Sequence, residues 1–202
     1  MSKTIFITGA SSGLGKATAK LFHEKGWKVI ATMRNPDKET ELTQLENVTL
    51  FALDVTNINQ INEVVEKSIK LGVDVVFNNA GYGLMGALEG ISDEKINKML
   101  NTNLLGVIRV TKAFIPYFRE KKNGIFITTT SMGGFAGFPI SSIYHASKFA
   151  LEGWSESLSY ELSKFNILVK TIAPGVIHTD FITRSLDMIL KINFLETLLK
   201  IQ

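Results

Sequence analysis

Short apolar runs alternate with longer stretches of helical spacing along most of the chain. The runs are rich in β-branched residues and apolar at successive positions, which is typical of strands covered on both faces. Strands are predicted at 4–8, 28–32, 48–53, 73–77, 124–130 and 167–172. Helices are predicted at 14–25, 58–71, 93–118 and 142–165. This alternation predicts an α/β fold with one doubly wound parallel sheet of about six strands and helices on both faces.

The size and charge of the chain limit its domain organisation and its partners. The 202 residues, 45% of them hydrophobic and 20% charged, suit one domain that buries most of its apolar surface. The net charge of +3 is small and no long basic run is present, so nucleic acid is not expected as a partner. We therefore expect a single domain over residues 1–202.

The sequence also lacks the residues that several other functions require. Because it has no cysteine, it has no disulfide framework, thiolate chemistry or cysteine zinc site. No histidines or carboxylates have the spacing of metal ligands, so no metal is expected. The first apolar run, residues 5–7, is too short for a signal peptide or a membrane span, and no other run reaches span length. These observations predict a cytoplasmic protein with no membrane span.

A glycine-rich turn joins the first predicted strand to the first predicted helix. Residues 8–15 read Thr-Gly-Ala-Ser-Ser-Gly-Leu-Gly, with the glycine spacing Gly-x-x-x-Gly-x-Gly. The free N–H groups and the dipole of a helix N-terminus favour an anion such as a diphosphate, and glycines let it approach closely. A tight structural turn would have the same composition. The turn predicts a dinucleotide site formed by Gly9, Ser11, Ser12, Gly13, Leu14 and Gly15.

Two other motifs overlap this turn. Residues 9–13 satisfy Gly-x-Ser-x-Gly, the nucleophile elbow of serine hydrolases, in the strand–turn–helix context that the motif requires. A hydrolase would use Ser11 with His145 or His178, but no upstream element supplies an oxyanion hole; this function stays as an alternative. A P-loop is excluded because Ala10 replaces its first glycine and Ala17 replaces its magnesium-binding hydroxyl.

The end of the second predicted strand indicates which dinucleotide the turn would bind. An NAD site places a carboxylate there to hold the ribose 2′-hydroxyl. This chain has Arg34 instead, whose guanidinium suits a 2′-phosphate, and Lys16 would add a donor. NADP(H) is therefore favoured over NAD(H). Asp54 and Val55 follow the third strand and are expected beside the adenine, although Asp54 also suits a turn before the helix that begins near Asn57.

Four polar residues form the predicted catalytic group. Tyr144 and Lys148 are four residues apart in the last predicted helix, which places both on one face, one turn apart. Ser131 ends the fifth predicted strand, at the edge where ligands meet an open parallel sheet. Asn103 lies in the predicted helix at 93–118. The tyrosine and lysine alone would suit an ordinary surface pair, so the prediction rests on the whole group.

Together these motifs resemble the short-chain dehydrogenase/reductase family over residues 4–181. The resemblance rests on the order and spacing of TGASSGLG, NNAG, Asn103, Ser131, YHASK and PGVIHT. It implies a Rossmann-type fold and an NADP(H)-dependent oxidoreductase that interconverts an alcohol and a carbonyl. It also implies a homodimer or a homotetramer, formed through the two long helices.

The resemblance implies a role for each matching residue. Tyr144 would be the general acid/base, and Lys148 would lower its pKa and hold the nicotinamide ribose. Ser131 would hydrogen-bond the substrate oxygen, and Asn103 would hold a water that relays protons to Lys148. Further cofactor contacts would come from the loops after the fourth and sixth strands, at Asn79, Ala80, Gly81, Pro174, Gly175, Ile177 and Thr179.

The charge of Lys148 gives the role of Tyr144 a physical basis. A free tyrosine has a pKa near 10 and is a poor base at neutral pH. An ammonium about 6 Å away, at an effective dielectric of about 20, favours the phenolate by roughly 3 kcal/mol. We therefore expect the pKa of Tyr144 to lie below its usual value, nearer the pH at which acid/base catalysis works best.

Apolar and aromatic residues predict a hydrophobic substrate. The stretches VIATMR and NNAGYG are similar to NADP-linked carbonyl, retinoid and hydroxysteroid reductases of the family. Mostly apolar residues are expected to face a small hydrophobic alcohol or carbonyl: Tyr82, Met85, Met132, Phe135, Phe138, Ile140, Phe181 and Ile182. Each of them would equally suit core packing, and we interpret His145 and His178 as packing or solvent-facing residues.

The C-terminal part departs from the family's pattern. Only 27 residues follow Gly175, no seventh strand is predicted, and the substrate-lid region at 176–202 looks shortened. Residues 183–202 are amphipathic and are expected to form a helix packed on the domain or on a partner subunit, with a membrane-surface helix as the alternative; the helical pattern covers 190–201. The sixth strand would then be an exposed edge, to be covered by that helix or by a partner subunit. This shortening raises a second hypothesis, a catalytically idle NADP(H)-binding protein that acts as a sensor or assembly partner.

Overall fold

The computed structural model describes residues 2–175 and 186–189. Within these ranges the strands are β1 (Thr4–Thr8), β2 (Lys28–Met33), β3 (Val48–Ala52), β4 (Val75–Asn78), β5 (Gly83–Met85), β6 (Gly124–Thr129), β7 (Ile167–Ile172) and β8 (Leu186–Met188). The α-helices are α1 (Gly13–Glu24), α2 (Ile58–Leu71), α3 (Asp93–Leu100), α4 (Gly106–Lys121) and α5 (Ser142–Ser163).

Six of these strands form one parallel sheet in the order β3-β2-β1-β4-β6-β7. The chain runs outward from β1 to β3, returns to place β4 beside β1, and then runs outward in the other direction. The strand order therefore reverses between β1 and β4, and a crevice opens there at the carboxyl ends of the strands. The predicted Rossmann-type, doubly wound sheet is confirmed.

Apolar side chains of the strands point alternately into two cores. Phe6 joins a core with α2, α4 and α5 on one face, where its ring meets that of Phe114 edge-on with centroids 4.9 Å apart. Its neighbours Ile5 and Ile7 join the core on the other face, with Ala19 of α1. Full burial of one such side chain stabilises the fold by about 1.5–3 kcal/mol. Cover on both faces explains why the strands are apolar at successive positions.

The predicted helix at 93–118 is interrupted. Between α3 and α4, residues Asn101–Leu105 form a π-helical turn, in which the N–H of Gly106 reaches the carbonyl of Asn101. Hydrophobic spacing did not reveal the turn because the chain stays helical through it. A π-turn shifts the register of the helix by one residue, and such turns are frequent at functional sites. Asn103 lies at the centre of this one.

Two short strands were not predicted. β5 and β8 pair in parallel, with Gly83 opposite Leu186 and Met85 opposite Met188. β8 lies inside the segment at 183–202 that we predicted as amphipathic helix, so that prediction is wrong for Leu186–Met188. A strand of three residues is too short for a period of two to be recognised, and its partner lies about 100 residues away in the chain.

The last strand of the main sheet, β7, is an edge strand. In the described part of the chain it pairs with β6 alone, and its side chains Leu168 and Ile172 are 48% and 43% exposed. The predicted exposed edge is thus observed there. The predicted helix at 190–201 and most of the lid region lie outside the described residues. No helix within 2–175 has both the length and the apolar character that crossing a membrane requires.

Candidate active site

Several of the predicted site residues lie at the carboxyl edge of the sheet, around the reversal point. The glycine turn follows β1, the Asn79–Gly81 loop follows β4, and Ser131 follows β6. The first turns of α5 bring Tyr144 and Lys148 to the same edge. Sequence positions from 9 to 148 are therefore gathered by the parallel topology.

The glycine turn packs so closely on the loop after β4 that side chains would not fit. Gly9 has a positive φ of 69°, and a Cβ there would lie 2.8 Å from the Cα of Ala80. A Cβ on Gly15 would overlap the carbonyl oxygen of Gly9 and lie 2.5 Å from Nδ2 of Asn79. These two glycines are therefore required by contacts in the protein, before any ligand is considered.

Thr8 and Asn79 hold this arrangement together. The Thr8 hydroxyl accepts hydrogen bonds from the N–H groups of Asn79 and Ala80, both at 3.0 Å. The Asn79 amide donates to the carbonyls of Thr8 and Gly9, each at 3.2 Å, and accepts from the Thr129 hydroxyl at 3.3 Å. Asn79 thus ties the ends of β1, β4 and β6 together. Thr8 and Thr129 were not singled out from the sequence, because their role depends on this pairing.

The N-terminus of α1 fits an anionic group. Ser12 is its N-cap residue, yet the Ser12 side chain makes no capping hydrogen bond, and the first turn holds no acidic residue. The helix dipole and the N–H groups of the first turn therefore remain available to a phosphate. Ser11 is exposed beside this turn. Leu14 is partly buried against the core that contains Ile5, Ile7 and Ala19.

The region expected at the adenosine contains both signs of charge. Arg34 is exposed just after β2 and forms no ion pair with the described residues. Lys16 is not free, as its Nζ lies 3.0 Å from a carboxylate oxygen of Glu39 and 2.6 Å from one of Glu41. Glu39 in turn accepts the N–H of Leu42 at 3.0 Å. Arg34 is thus the better placed of the two cations for an added phosphate.

The residues after β3 have local partners. The Asp54 carboxylate accepts from the N–H and the hydroxyl of Thr56, at 2.9 and 2.7 Å. This is the turn that we considered for Asp54 from the sequence. Val55 is buried against Gly106. A Cβ added to Gly106 would lie 2.8 Å from Cγ2 of Val55. Adenine contacts by Asp54 and Val55 remain predictions.

Lys148 is buried next to Tyr144. Its Nζ donates a hydrogen bond of 2.9 Å to the Thr129 carbonyl and lies 5.6 Å from the centre of the Tyr144 ring. Burial lowers the pKa of Lys148 to about 8, although the charge of Glu152 raises it. The lysine is therefore mostly charged at neutral pH and loses its charge within the range of ordinary buffers.

The pKa of Tyr144 differs from the sequence-based expectation. Burial raises it above the usual value, while the neighbouring Ser131 hydroxyl lowers it. Our prediction of a lowered pKa for Tyr144 is therefore wrong. It counted the charge of Lys148 but ignored burial, and a lysine with a pKa of about 8 is already neutral where the phenol titrates. Tyr144 is thus a protonated donor at neutral pH.

The loop between Ser131 and α5 is fixed by His145. Ser131 accepts a hydrogen bond from the N–H of Gly133 at 3.1 Å. His145 is buried; its Nδ1 lies 2.8 Å from the Gly133 carbonyl and its Nε2 accepts from the N–H of Phe138 at 2.9 Å. A neutral ring with the proton on Nδ1 satisfies both contacts. His145 is therefore a packing residue with both nitrogens engaged, and is not free to activate Ser11; His178 lies outside the described residues.

Asn103 fixes the loop between β4 and β5. Its side chain is buried, accepts from the N–H of Tyr82 at 3.1 Å and donates to the Tyr82 carbonyl at 2.8 Å. A Cβ on Gly81 would lie 3.2 Å from its Oδ1. The π-helical turn thus serves to direct Asn103 at this loop. The water relay that the resemblance implies for Asn103 remains a prediction.

Apolar side chains surround the mouth of the site. Met132, Phe135 and Phe138 are 47%, 64% and 53% exposed. Tyr82 and Met85 are partly buried, and Ile140 has a positive φ of 58°. Beside this patch the carbonyl of Pro174 accepts the N–H of Met132 at 3.2 Å, and Gly175 is exposed. Other predicted residues of this side lie outside the described ranges: Ile177, Thr179, Phe181 and Ile182.

A metal was not expected, and the described residues contain no group of three His, Cys, Asp or Glu side chains that would hold one. The chain is similar to known proteins over most of its length. A 3-ketodihydrosphingosine reductase of Bacteroides thetaiotaomicron is 41% identical over 179 residues, which are 88% of this chain and 65% of that protein. The chain thus spans less than two thirds of that relative's length.

Two solved structures have the same fold. A short-chain dehydrogenase from Streptomyces avermitilis superposes with a TM-score of 0.90 at 31% identity, covering 96% of this chain and 74% of the other. ElxO with NADP bound superposes with a TM-score of 0.86 at 32% identity, covering 91% and 77%.

A family comparison covers nearly the whole chain. The short chain dehydrogenase profile matches residues 3–189, which include the glycine turn, the loop after β4 and the Tyr144–Lys148 pair. Sequence profile, fold and relatives agree with the resemblance drawn from the motifs. The chain belongs to the short-chain dehydrogenase family.

Proposed function

We propose that this protein is an NADP(H)-dependent oxidoreductase that interconverts an alcohol and a carbonyl on a small hydrophobic substrate. The observation that carries the proposal is the position of buried Lys148, 5.6 Å from the centre of the Tyr144 ring, together with the Ser131 hydroxyl beside Tyr144. This group lies at the same sheet edge as the uncapped N-terminus of α1. A proton donor and an anion site therefore face one crevice.

The bound cofactor would supply or accept the hydride. The protein's own residues would supply the proton and hold the substrate. Tyr144 is protonated at neutral pH, so in the reductive direction it would give its proton to the substrate oxygen. Ser131 would hold that oxygen, and charged Lys148 would stabilise the phenolate that remains. Asn103 would hold the water that relays protons to Lys148. It also fixes the loop at Tyr82 through two hydrogen bonds.

The cofactor site would extend along the sheet edge. The turn from Gly9 to Gly15 and the start of α1 would hold the diphosphate. The loop residues Asn79–Gly81 and the segment around Pro174 would line the nicotinamide side. Arg34 would bind the 2′-phosphate, which supports NADP(H) over NAD(H). ElxO, which has the same fold, was solved with NADP.

The surface supports a hydrophobic substrate and more than one subunit. Met132, Phe135 and Phe138 give the site an apolar mouth. Phe149 and Tyr160 are 46% and 72% exposed on α5, which suits the expected homodimer or homotetramer. The cytoplasmic location remains a prediction from the sequence.

The decisive experiment measures NADPH oxidation with a panel of apolar ketones and aldehydes. We expect turnover in the wild type and a loss of about 10²–10⁴-fold in Tyr144→Phe, because the proton donor is removed. NADPH should bind equally well to both and more tightly than NADH. Tyr160→Phe, an exposed tyrosine of the same helix, is the matched control and should keep full activity.

Two results would contradict the proposal. Turnover that survives in Tyr144→Phe would show that another group supplies the proton. NADPH binding with no turnover across the panel would favour the catalytically idle binding protein.

A further inference from the structure

A third ionisable side chain shares the catalytic face of α5. Glu152 follows Lys148 by four residues, as Lys148 follows Tyr144, so the three lie in one row along the helix. The 3₁₀ turn Met132–Gly134, directly after Ser131, packs on this row. A Cβ on Gly134 would lie 3.1 Å from the Lys148 carbonyl and 3.2 Å from Cγ of Glu152. Glu152 is thus pressed against the turn that carries the substrate-binding serine.

Among the described residues, no hydrogen-bond partner holds the Glu152 carboxyl group in this place. Its Oε1 is buried and has no partner among the described residues. It forms no ion pair with Lys148 within 4.0 Å, so any interaction acts through space. A buried carboxylate oxygen is costly unless a nearby positive charge compensates it. Lys148, one helical turn away, is the cation on the same face.

The surroundings of Lys148 offer few other charges. The strand β6, the 3₁₀ turn Met132–Gly134, the π-turn Asn101–Leu105 and β5 contain no ionisable side chain. On α5, Tyr144 is protonated and His145 faces Gly133 and Phe138. The charged or titratable groups of the other packed segments are exposed or only partly buried: Tyr82, Asp93, Glu94, Lys95, Lys98, Lys170 and Asp187, with Lys95 paired to Asp187. Burial lowers the pKa of Lys148, and Glu152 is the one charge that raises it.

We propose that Glu152 is a positioning residue that keeps Lys148 charged beneath Tyr144. Without the carboxylate, burial alone would act on the ammonium, and Lys148 would be neutral in a larger fraction of molecules at neutral pH. Neutral Lys148 stabilises the Tyr144 phenolate less well, so proton donation would fail at a lower pH. This kinetic consequence rests on the proposed function, whereas the charge of Lys148 does not.

The test compares the wild type with Glu152→Gln, which keeps the shape and removes the charge. Lysine side chains are labelled with ¹³C at Cε, and the Lys148 signal is assigned as the one that is absent from Lys148→Met. The pH midpoint of the Lys148 titration is then measured by NMR. We expect the midpoint to fall from about 8 by about one pH unit in Glu152→Gln. In the pH profile of kcat/KM for carbonyl reduction, the alkaline limb should move to lower pH by the same amount.

Three further variants make the test specific. Glu156→Gln removes an exposed carboxylate one turn further along α5 and should leave both measurements unchanged. Glu152→Asp keeps the charge and should keep most of the wild-type midpoint. Glu152→Ala removes the charge without leaving a buried amide and replaces Glu152→Gln if that variant does not fold.

The two proposals fail in different ways. An unchanged Lys148 midpoint in both Glu152→Gln and Glu152→Ala would overturn the role of Glu152, whatever the activity. A fall of the midpoint that Glu152→Asp does not show would support it, even if no ketone in the panel is reduced. Absent turnover in the wild type would count against the proposed function alone.

Discussion

Two helices begin at the same edge of the sheet in opposite ways. α2 follows β3, and its N-cap residue Asn57 accepts hydrogen bonds from the N–H groups of Asn59 and Gln60, at 3.0 and 3.1 Å. α1 follows β1, and its N-cap residue Ser12 has a side chain capable of the same bond but does not make it. One helix satisfies its first N–H groups internally, and the other leaves them available.

This difference separates a helix start that serves the fold from one that we propose to bind a diphosphate. A Ser, Thr, Asp or Asn cap typically contributes about 1 kcal/mol to stability. At α1 that contribution is absent, and the glycines instead bring the turn against the loop after β4, where Asn79 fixes it. The fold therefore keeps a preformed set of donors that suits the proposed diphosphate, at the expense of some stability.

The largest effect is expected where the turn at α1 is forced open. Gly15→Ala would place a methyl group against the Gly9 carbonyl and the Asn79 amide, so the turn must move. We expect the free energy of unfolding to fall by about 1–3 kcal/mol. NADPH binding should weaken about 100-fold or more, because several charge-assisted bonds are lost together. Denaturant unfolding and a fluorescence titration with NADPH measure the two effects.

A matched glycine provides the control. Gly153 lies on the exposed side of α5, and a Cβ there meets no atom within 4 Å. Gly153→Ala should therefore be neutral or stabilising, by up to about 1 kcal/mol, and should bind NADPH normally. If Gly15→Ala binds NADPH as tightly as Gly153→Ala does, the close packing of the turn is irrelevant to the cofactor.

A charge added at each cap tests the comparison more finely. Ser12→Asp would give α1 the capping carboxylate that it lacks and should stabilise the cofactor-free protein by about 0.5–1 kcal/mol. The same carboxylate would occupy the position of the diphosphate and repel its negative charge. The Kd for NADPH should therefore rise about tenfold or more. Thermal unfolding without cofactor and titration with NADPH at fixed ionic strength measure these opposite changes.

Asn57→Asp is the counterpart at α2. It replaces one good cap by another, so stability and NADPH affinity should both stay close to wild type. Equal losses of NADPH affinity in Ser12→Asp and Asn57→Asp would mean that the added charge acts through the general field of the protein and not at a diphosphate site.

The sequence predicted the contrast between the two helix starts only in part. Asn57 before a helical pattern was recognised as the place where α2 begins, and the glycine spacing indicated a phosphate site at α1. That Ser12 does not cap its helix was not predictable, because serine is a favoured N-cap residue and only the position of the turn decides. Local chemistry is readable from a sequence, whereas the outcome of competing contacts is not.

The same division applies to the rest of the site. Tyr144 and Lys148 were predicted because four-residue spacing on a helix is a local property. Two other features depend on which strands are neighbours. These are the hydrogen bonds of the Asn79 side chain to the ends of other strands and the hydrogen bond from Lys148 to the Thr129 carbonyl. The shift in the pKa of Tyr144 was predicted in the wrong direction, because it depends on burial and burial is a property of the whole fold. The pairing of β5 with β8 was missed for a related reason, since it joins distant short segments.

Removal of each cap gives the smallest effect and the most direct test of the contrast. Asn57→Ala should lower the free energy of unfolding by about 1 kcal/mol, because the N–H groups of Asn59 and Gln60 lose their partner. Ser12→Ala should change it by less than about 0.5 kcal/mol, because the Ser12 side chain makes no capping bond to lose. Denaturant unfolding without cofactor measures both, and equal losses would mean that Ser12 caps α1 in solution. If the ranking holds, the two substitutions separate a cap that serves the fold from an N-terminus that the fold leaves open for the cofactor.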